Sequence, residues 1–321
     1  MASTLLPHAR PKPHSIHEYA ALTHPPHLSR LESSTHKPAL VEPLSIDVDD
    51  PQGGFVPGFL HLPPDMLPAA GGEEPPLLPP HHHRTATILL SGAGGGVAGP
   101  SSIYLSLACK LATLGRGIPA LRLDYRFPGA STAPCVRDAR AAMTYLRDAY
   151  GLDRFVLVGW SFGSAVVLDA AAEDPKVVGC AVVAGQTAGC EGVAKLAPRP
   201  LLLLHGSADG TLAVGCSRRL EKMYKEGIGE DGGECKLHIF PEDGHTLEKN
   251  AEKAEEMLCE FIASCLLDGL GGRTRSLFVS DLKLISFLWG EDSWSDFVNN
   301  KVVEDEYQED RRAVFAREGG A

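Results

Sequence analysis

The chain has 321 residues and is 44% hydrophobic, enough for a substantial core in one large domain or two small ones. Lys and Arg total 30 against 41 Asp and Glu, a formal charge of −11. That acidic excess argues against nucleic acid and anionic membrane surfaces as partners, because both need a basic footprint.

In chain order, residues 1–40 are rich in Pro and His without periodicity and read as a disordered segment. Their opening, MASTLLPHARPKPHSIHEYA, has no apolar core of the kind a secretory signal carries. A cytoplasmic location is expected, with a mitochondrial one as the weaker alternative because the segment is short of acids. PLSIDV (43–48) and GFVPGFLHL (54–62) predict two strands around a turn that begins DDPQG, and Pro57 in the second suggests a sheet edge. Residues 63–84 are a Pro/Gly loop. Its His81-His82-His83 run lacks a closed coordination set and reads as a solvated loop, so no metal is expected.

From residue 85 strands and helices alternate. TATILLS is a strand and SSIYLSLACKLATLG a helix; IPALRLDY is a strand and CVRDARAAMTYLRDAYG a helix. RFVLVGW is a strand and SFGSAVVLDAAAE a helix; KVVGCAVVAG is a strand followed by a short turn. RPLLLLHG, then VGCSRRLEKMYKEG, and ECKLHIF, then TLEKNAEKAEEMLCEFIASCLL, repeat the pattern. The strands are short, mostly continuous apolar runs, as expected where helices cover both faces of a sheet. Such alternation implies parallel strands with right-handed crossovers. The expected architecture is one doubly wound, mostly parallel α/β domain over residues 41–267, with the first two strands as an antiparallel edge.

Residues 268–321 form a C-terminal tail in which Phe278, Leu282, Ile285 and Trp289 recur on one helical face. An amphipathic helix there can dock on the chain's own body, or cover the active-site edge or a second subunit, which leaves a homo-oligomer open. No apolar stretch reaches the length that spans a bilayer. The eight cysteines include no Cys-x-x-Cys pair, and several sit in apolar runs, which fits reduced thiols buried as small hydrophobes.

The chemistry concentrates at Gly159-Trp160-Ser161-Phe162-Gly163, a G-x-S-x-G pattern between an apolar strand and a helix. A turn this tight puts the serine in a strained conformation, and side chains at the flanking glycines would collide. Ser161 then stands at a helix N-terminus, where developing negative charge is favoured. The plainer reading makes Ser161 a helix cap. A serine hydroxyl is a poor nucleophile without a base, and the base needs an orienting acid. Asp209 in LLLLHGSADGTL and His245 in KLHIFPEDGHTL each follow a buried strand, at the carboxyl edge where catalytic groups gather. Singly, Asp209 could be a turn residue beside Gly210, and His245 a surface residue with Thr246 as the helix cap. Glu242 and Asp243 compete for the acid but sit so close to His245 that shaping the turn is their better reading. An oxyanion needs donors, expected from the Phe162 amide and from Ser91-Gly92-Ala93-Gly94-Gly95-Gly96, with the Ala93 amide favoured and Gly94 as the alternative. Gln186 and Thr187, at the end of a neighbouring strand, are candidate substrate contacts.

The segments SGAGG, LDYRFPGAS, GWSFG, HGSAD and DGH together resemble the α/β-hydrolase superfamily over roughly residues 44–265. LDYRFPGAS is similar to the family's D-x-R-G-x-G-x-S and departs from it at Phe127 and Pro128. That segment is structural in the family, which implies that Asp124 and Arg126 are not catalytic. Ser91-Gly92 stands where many members carry His-Gly. Only Gln186 to Pro200 follows the strand after the elbow helix, so no cap domain is expected and the chain resembles the lidless branch. Dienelactone-hydrolase-type proteins and small serine esterases or thioesterases belong there, although dienelactone hydrolases themselves use a cysteine where this chain has Ser161. The resemblance implies cleavage of a small-molecule carboxylic ester or thioester through an acyl-enzyme, without a cofactor. Two rivals remain. One is a hydrolase-like scaffold without catalysis. The other is a dinucleotide-binding oxidoreductase, in which Gly94-Gly95-Gly96-Val97-Ala98-Gly99 would hold a pyrophosphate and Asp124 a ribose.

Overall fold

A computed structural model of the chain describes residues 40–50, 53–63, 66, 84–113, 117–126, 131–227 and 233–267. The N-terminal segment, the three consecutive histidines, Phe127, Pro128 and the C-terminal stripe lie outside these residues. Eight strands form one sheet: β1 (Leu40–Asp47), β2 (Phe55–Leu62), β3 (Thr85–Leu90), β4 (Ala120–Leu123), β5 (Arg154–Trp160), β6 (Val177–Val183), β7 (Leu201–Gly206) and β8 (Cys235–Phe240). Five helices alternate with them: α1 (Ile103–Thr113), α2 (Thr132–Tyr150), α3 (Gly163–Glu173), α4 (Gly215–Gly227) and α5 (Ala251–Leu267).

The strand order is β1-β2-β4-β3-β5-β6-β7-β8. All pairs from β4 to β8 are parallel, whereas β2 runs antiparallel to both β1 and β4. The antiparallel flank is as expected, but Pro57 does not mark the sheet edge, because β1 lies outside β2. The ladder to β4 covers only Gly58–His61. Pro57 ends it by accepting from the Asp124 amide at 2.9 Å, so its missing N–H falls where pairing stops.

The central strands are buried on both faces, and side chains that alternate along a strand enter two separate apolar layers. Ile88, Leu90 and Leu157 pack with α2, α3 and α4 residues such as Met143, Val166 and Leu220. Leu89, Val156 and Val158 pack on the other face with Leu107 of α1 and Leu258 of α5. Two layers of helix on one sheet explain why the strands carry no polar alternation. Among the described residues no cap domain interrupts the sheet; the β6–β7 connection holds one 3-10 turn, Glu191–Lys195.

Helix α5 starts later than its sequence pattern suggests. The chain from Gly244 to Asn250 is turns, with Leu247 at φ 59°, and the Ala254 amide donates to Asn250 O at 2.9 Å. Thr246 is therefore not the cap of that helix. The LDYR segment proves structural. Arg126, buried, donates from Nε to Asp138 Oδ1 and from Nη2 to Asp50 Oδ2, both at 2.6 Å, and so ties the end of β4 to α2. No helix among the described residues is long and apolar enough to cross a membrane.

Candidate active site

The turn after β5 is as tight as its sequence demands. Ser161 has φ 54°, a left-handed conformation that non-glycine residues rarely adopt. Its amide still pairs with the sheet, donating to Val183 O at 2.9 Å, and α3 begins two residues later. A Cβ on Gly159 would lie 2.4 Å from Gly163 O, and one on Gly163 would lie 2.6 Å from Ser91 O. No larger residue fits either position, since backbone rather than a flexible side chain is in the way. Ser164, fully buried, locks the turn: its Oγ donates to Ser161 O at 2.6 Å and accepts from the Gln186 amide at 3.1 Å.

The glycine loop after β3 packs against this turn. A Cβ on Gly92 would touch both Ser161 Cβ and Trp160 Cε3 at 3.4 Å. The loop closes through Gly95 N–H to Gly92 O at 2.9 Å, which leaves Ala93 exposed and Gly94 half-buried at its tip. Asp124 anchors the far side: Oδ1 accepts from the Gly96 amide at 2.8 Å and the Tyr125 amide at 2.7 Å. This overturns the dinucleotide reading. A ribose-binding acid must reach its ligand, whereas Asp124 is 1% exposed and its Oδ1 is held by the loop backbone. Phe162, buried against Tyr125 with ring centroids 5.8 Å apart, precedes the first turn of α3, where amides have no carbonyl four residues back.

Asp209 and His245 meet although 36 residues separate them: His245 Nδ1 lies 2.7 Å from Asp209 Oδ2. The loops after β7 and β8 are zipped together to allow this. Ala208 N–H donates to Asp243 O and Glu242 N–H to Ser207 Oγ, each at 2.9 Å. Asp209 is also the turn residue that its Gly neighbour suggested. Oδ1 accepts from the amides of Thr211 at 2.8 Å and Leu212 at 2.9 Å, which leaves Oδ2 for the imidazole. Burial of the side chain alone would raise its proton affinity. The His245 bond and the two amides outweigh that and hold the carboxyl below the ordinary range.

Asp243 does shape the turn. Its buried carboxylate accepts from the Lys249 amide at 2.9 Å and from Asn250 Nδ2 at 2.8 Å. Glu242 points to Lys249 on the surface. His245 is further fixed by Trp160, whose Nε1–H donates to His245 O at 3.1 Å and whose ring lies 5.5 Å from the imidazole. The same indole stands where a Cβ on Gly92 would meet it, so Trp160 sits between His245 and the glycine loop. Among the described residues no hydrogen bond joins Ser161 Oγ to His245. Gln186 is half-buried, and its Nε2 donates to Ala188 O at 2.7 Å, within its own loop. The described residues hold no cluster of metal-ligating side chains.

Sequence reasoning missed the role of Trp160, which occupies the variable second position of the elbow pattern. In the sequence His205 is only the first residue of the HGSAD segment. That residue lies fully buried beside Asp209.

This sheet order, with the glycine loop, the elbow and the two zipped loops all at the carboxyl edge, defines an α/β-hydrolase fold. A protein-family model described as alpha/beta hydrolase fold matches residues 77–218. Among solved structures the chain is similar to Est1E from Butyrivibrio proteoclasticus, at 18% identity and TM-score 0.52, covering 72% of this chain and 99% of that one. It is similar to the esterase domain of a Rhodothermus marinus protein at 17% identity and TM-score 0.52, covering 71% and 99%. A puromycin-hydrolyzing peptidase from Mycobacterium tuberculosis matches at 18% identity and TM-score 0.51, covering 71% of this chain and 40% of the peptidase. At such identities the likeness speaks for the fold and not for the substrate. No curated protein matches the chain.

Proposed function

We propose that the chain is a serine hydrolase that cleaves a carboxylic ester or thioester of a small molecule through an acyl-enzyme on Ser161. The observation that carries this reading is the 2.7 Å contact of His245 Nδ1 with the buried Asp209 carboxylate, beside a serine held at φ 54°. In the reaction Ser161 Oγ attacks the acyl carbon while His245 Nε2 takes its proton. His245 then gives that proton to the departing alcohol or thiol, and water repeats the sequence in reverse to free the acid. Asp209 keeps Nδ1 protonated, so that Nε2 is the basic nitrogen, and stabilises the imidazolium as it forms. The amides of Phe162 and Ala93, or Gly94 in its place, are the donors for the oxyanion. Gln186 and Gly94 are the proposed substrate contacts.

The apo geometry is compatible with this, because a serine–histidine hydrogen bond often tightens only when substrate arrives. Ser161→Ala should remove turnover of p-nitrophenyl acetate and thioacetate and abolish labelling by a fluorophosphonate probe, with an unchanged circular dichroism spectrum. Wild-type turnover in that variant would sink the proposal, and absence of labelling in the wild type would favour a scaffold without catalysis.

A further inference from the structure

Asp209 Oδ2 faces a second histidine. His205, at the end of β7 and fully buried, places Nε2 at 3.2 Å from that oxygen. The chain turns sharply after β7, with the Asp209 amide approaching Gly206 O at 3.3 Å, and this brings residue 209 back over residue 205. The same Nε2 lies 2.9 Å from Leu212 O, and Nδ1 lies 2.7 Å from Ser217 Oγ of α4.

These partners fix the tautomer. A carbonyl can only accept, so Nε2 must carry the proton that meets Leu212 O. That N–H points at Leu212 O, and Asp209 Oδ2 lies beside it, 3.2 Å from Nε2, within reach of its electrostatic attraction. Ser217, also buried, has a hydroxyl that can donate, and a bare Nδ1 is the acceptor it faces. An ionised carboxylate has about four acceptor positions. Here three are used by hydrogen bonds, the Thr211 and Leu212 amides on Oδ1 and His245 on Oδ2, and His205 Nε2 stands 3.2 Å from Oδ2 on its other side. Without His205, no positive dipole would face Oδ2 on that side, and the carboxylate could rotate about its Cβ–Cγ bond to seek another partner. Rotation moves Oδ2 away from the plane of the His245 ring.

We propose that His205 is a positioning residue for the hydrolytic reaction, holding the Asp209 carboxylate through Nε2–H so that Oδ2 aims at His245 Nδ1. Ser217 acts one step further out by keeping the His205 ring in the tautomer that can donate. This inference rests on the assignment of Asp209 and His245 as acid and base.

The test has two parts. In the wild-type protein, long-range proton–nitrogen correlation on 15N-histidine-labelled chain reads the tautomer of His205 directly; Nε2–H with bare Nδ1 is expected. The opposite tautomer overturns the proposal, because a bare Nε2 has nothing to give Asp209. The second part compares His205→Leu with His205→Gln, whose side-chain nitrogen can stand where Nε2 stood. With p-nitrophenyl acetate, His205→Leu should lose about tenfold in kcat, with KM within about twofold. His205→Gln should recover most of that loss. A purely packing role predicts the reverse, since Leu is the better core residue, so a folded His205→Leu with wild-type kcat overturns the proposal. If His205→Leu does not fold, the comparison moves to Ser217→Ala, which should lower kcat by a smaller factor and give a mixture of His205 tautomers; a single unchanged tautomer with unchanged kcat counts against it. The tautomer measurement needs no turnover, and the Ser161→Ala result needs no His205, so failure of either reading is visible separately.

Discussion

A single methyl group decides the geometry around Ser161. Ala at Gly163 would set its Cβ 2.6 Å from Ser91 O and 2.7 Å from Leu90 O. Alanine's helix propensity favours the change by about 1 kcal/mol, but overpacking against backbone costs about 1–3 kcal/mol and cannot be relieved by a rotamer. Gly163→Ala should therefore destabilise the fold in urea and depress turnover, because the elbow and the glycine loop are forced apart. Higher stability in that variant would contradict the packing described. Asp209 gives a pH signature of its own. Its folded carboxyl lies below the ordinary range, which is about 3.9 for an unfolded Asp. The stability it contributes is fully present above the unfolded value and is lost as pH falls through the folded one. The wild type should thus melt above Asp209→Asn from neutral pH down to about pH 4, and the gap should shrink as pH falls further. Thermal melts at stepped pH check this, and a gap that does not shrink below about pH 4 would count against it.

Between elements, the charge cluster of β4 and α2 is the main test of what holds the active edge in place. Arg126 reaches Asp138 and Asp50 at 2.6 Å, and the half-buried Arg137 adds a bond to Asp50 at 2.9 Å. Removing one member of a buried pair strands the other, at a cost of about 3–5 kcal/mol. Asp138→Ala should show a loss of that order in urea denaturation with an unchanged denaturant slope. A loss below about 1 kcal/mol would mean that the remaining Asp50 contact suffices. Asp138 was not singled out in the sequence, since an acid in an amphipathic helix looks like any solvent-facing residue. The strands were legible for the opposite reason: burial on both faces leaves runs such as TATILL and LLLLHG with no polar alternation to confuse the period. Likewise the elbow, Asp209 and His245 could be found because each follows such a run. His205 could not, because its role arises from the chain folding back over itself after β7, and in sequence it is only one more residue of a buried strand. The late start of α5 was hidden as well. TLEKN carries helix formers, but Asp243 binds the Lys249 amide and Asn250 and so holds that stretch as turns.

At the scale of the whole molecule, the two apolar layers account for the cysteines better than any chemistry does. Eight cysteines are present and all are free. Cys109, Cys135, Cys180, Cys190, Cys259 and Cys265 are buried, whereas Cys216 and Cys235 are half-exposed. Burial pushes the thiols of Cys109, Cys180 and Cys190 up to about 12, so none of them is a thiolate near neutral pH. Cys235 is likewise pushed up to about 12, by its partial burial first and then by Glu221. Access puts Cys216 and Cys235 ahead of the six buried thiols, and the raised proton affinity of Cys235 slows that one. The native protein should therefore react with a disulfide reagent such as Ellman's at one thiol quickly and at a second slowly. The six buried thiols should appear only with the unfolding rate, and the full set of eight in denaturant. Cys216→Ser should remove the fast phase and leave ester turnover intact, since among the described residues no hydrogen bond joins Cys216 to Ser161, Asp209 or His245. A fast phase of three or more thiols would mean that one apolar layer opens in the native state. Fewer than eight in denaturant without reductant would mean that a disulfide forms.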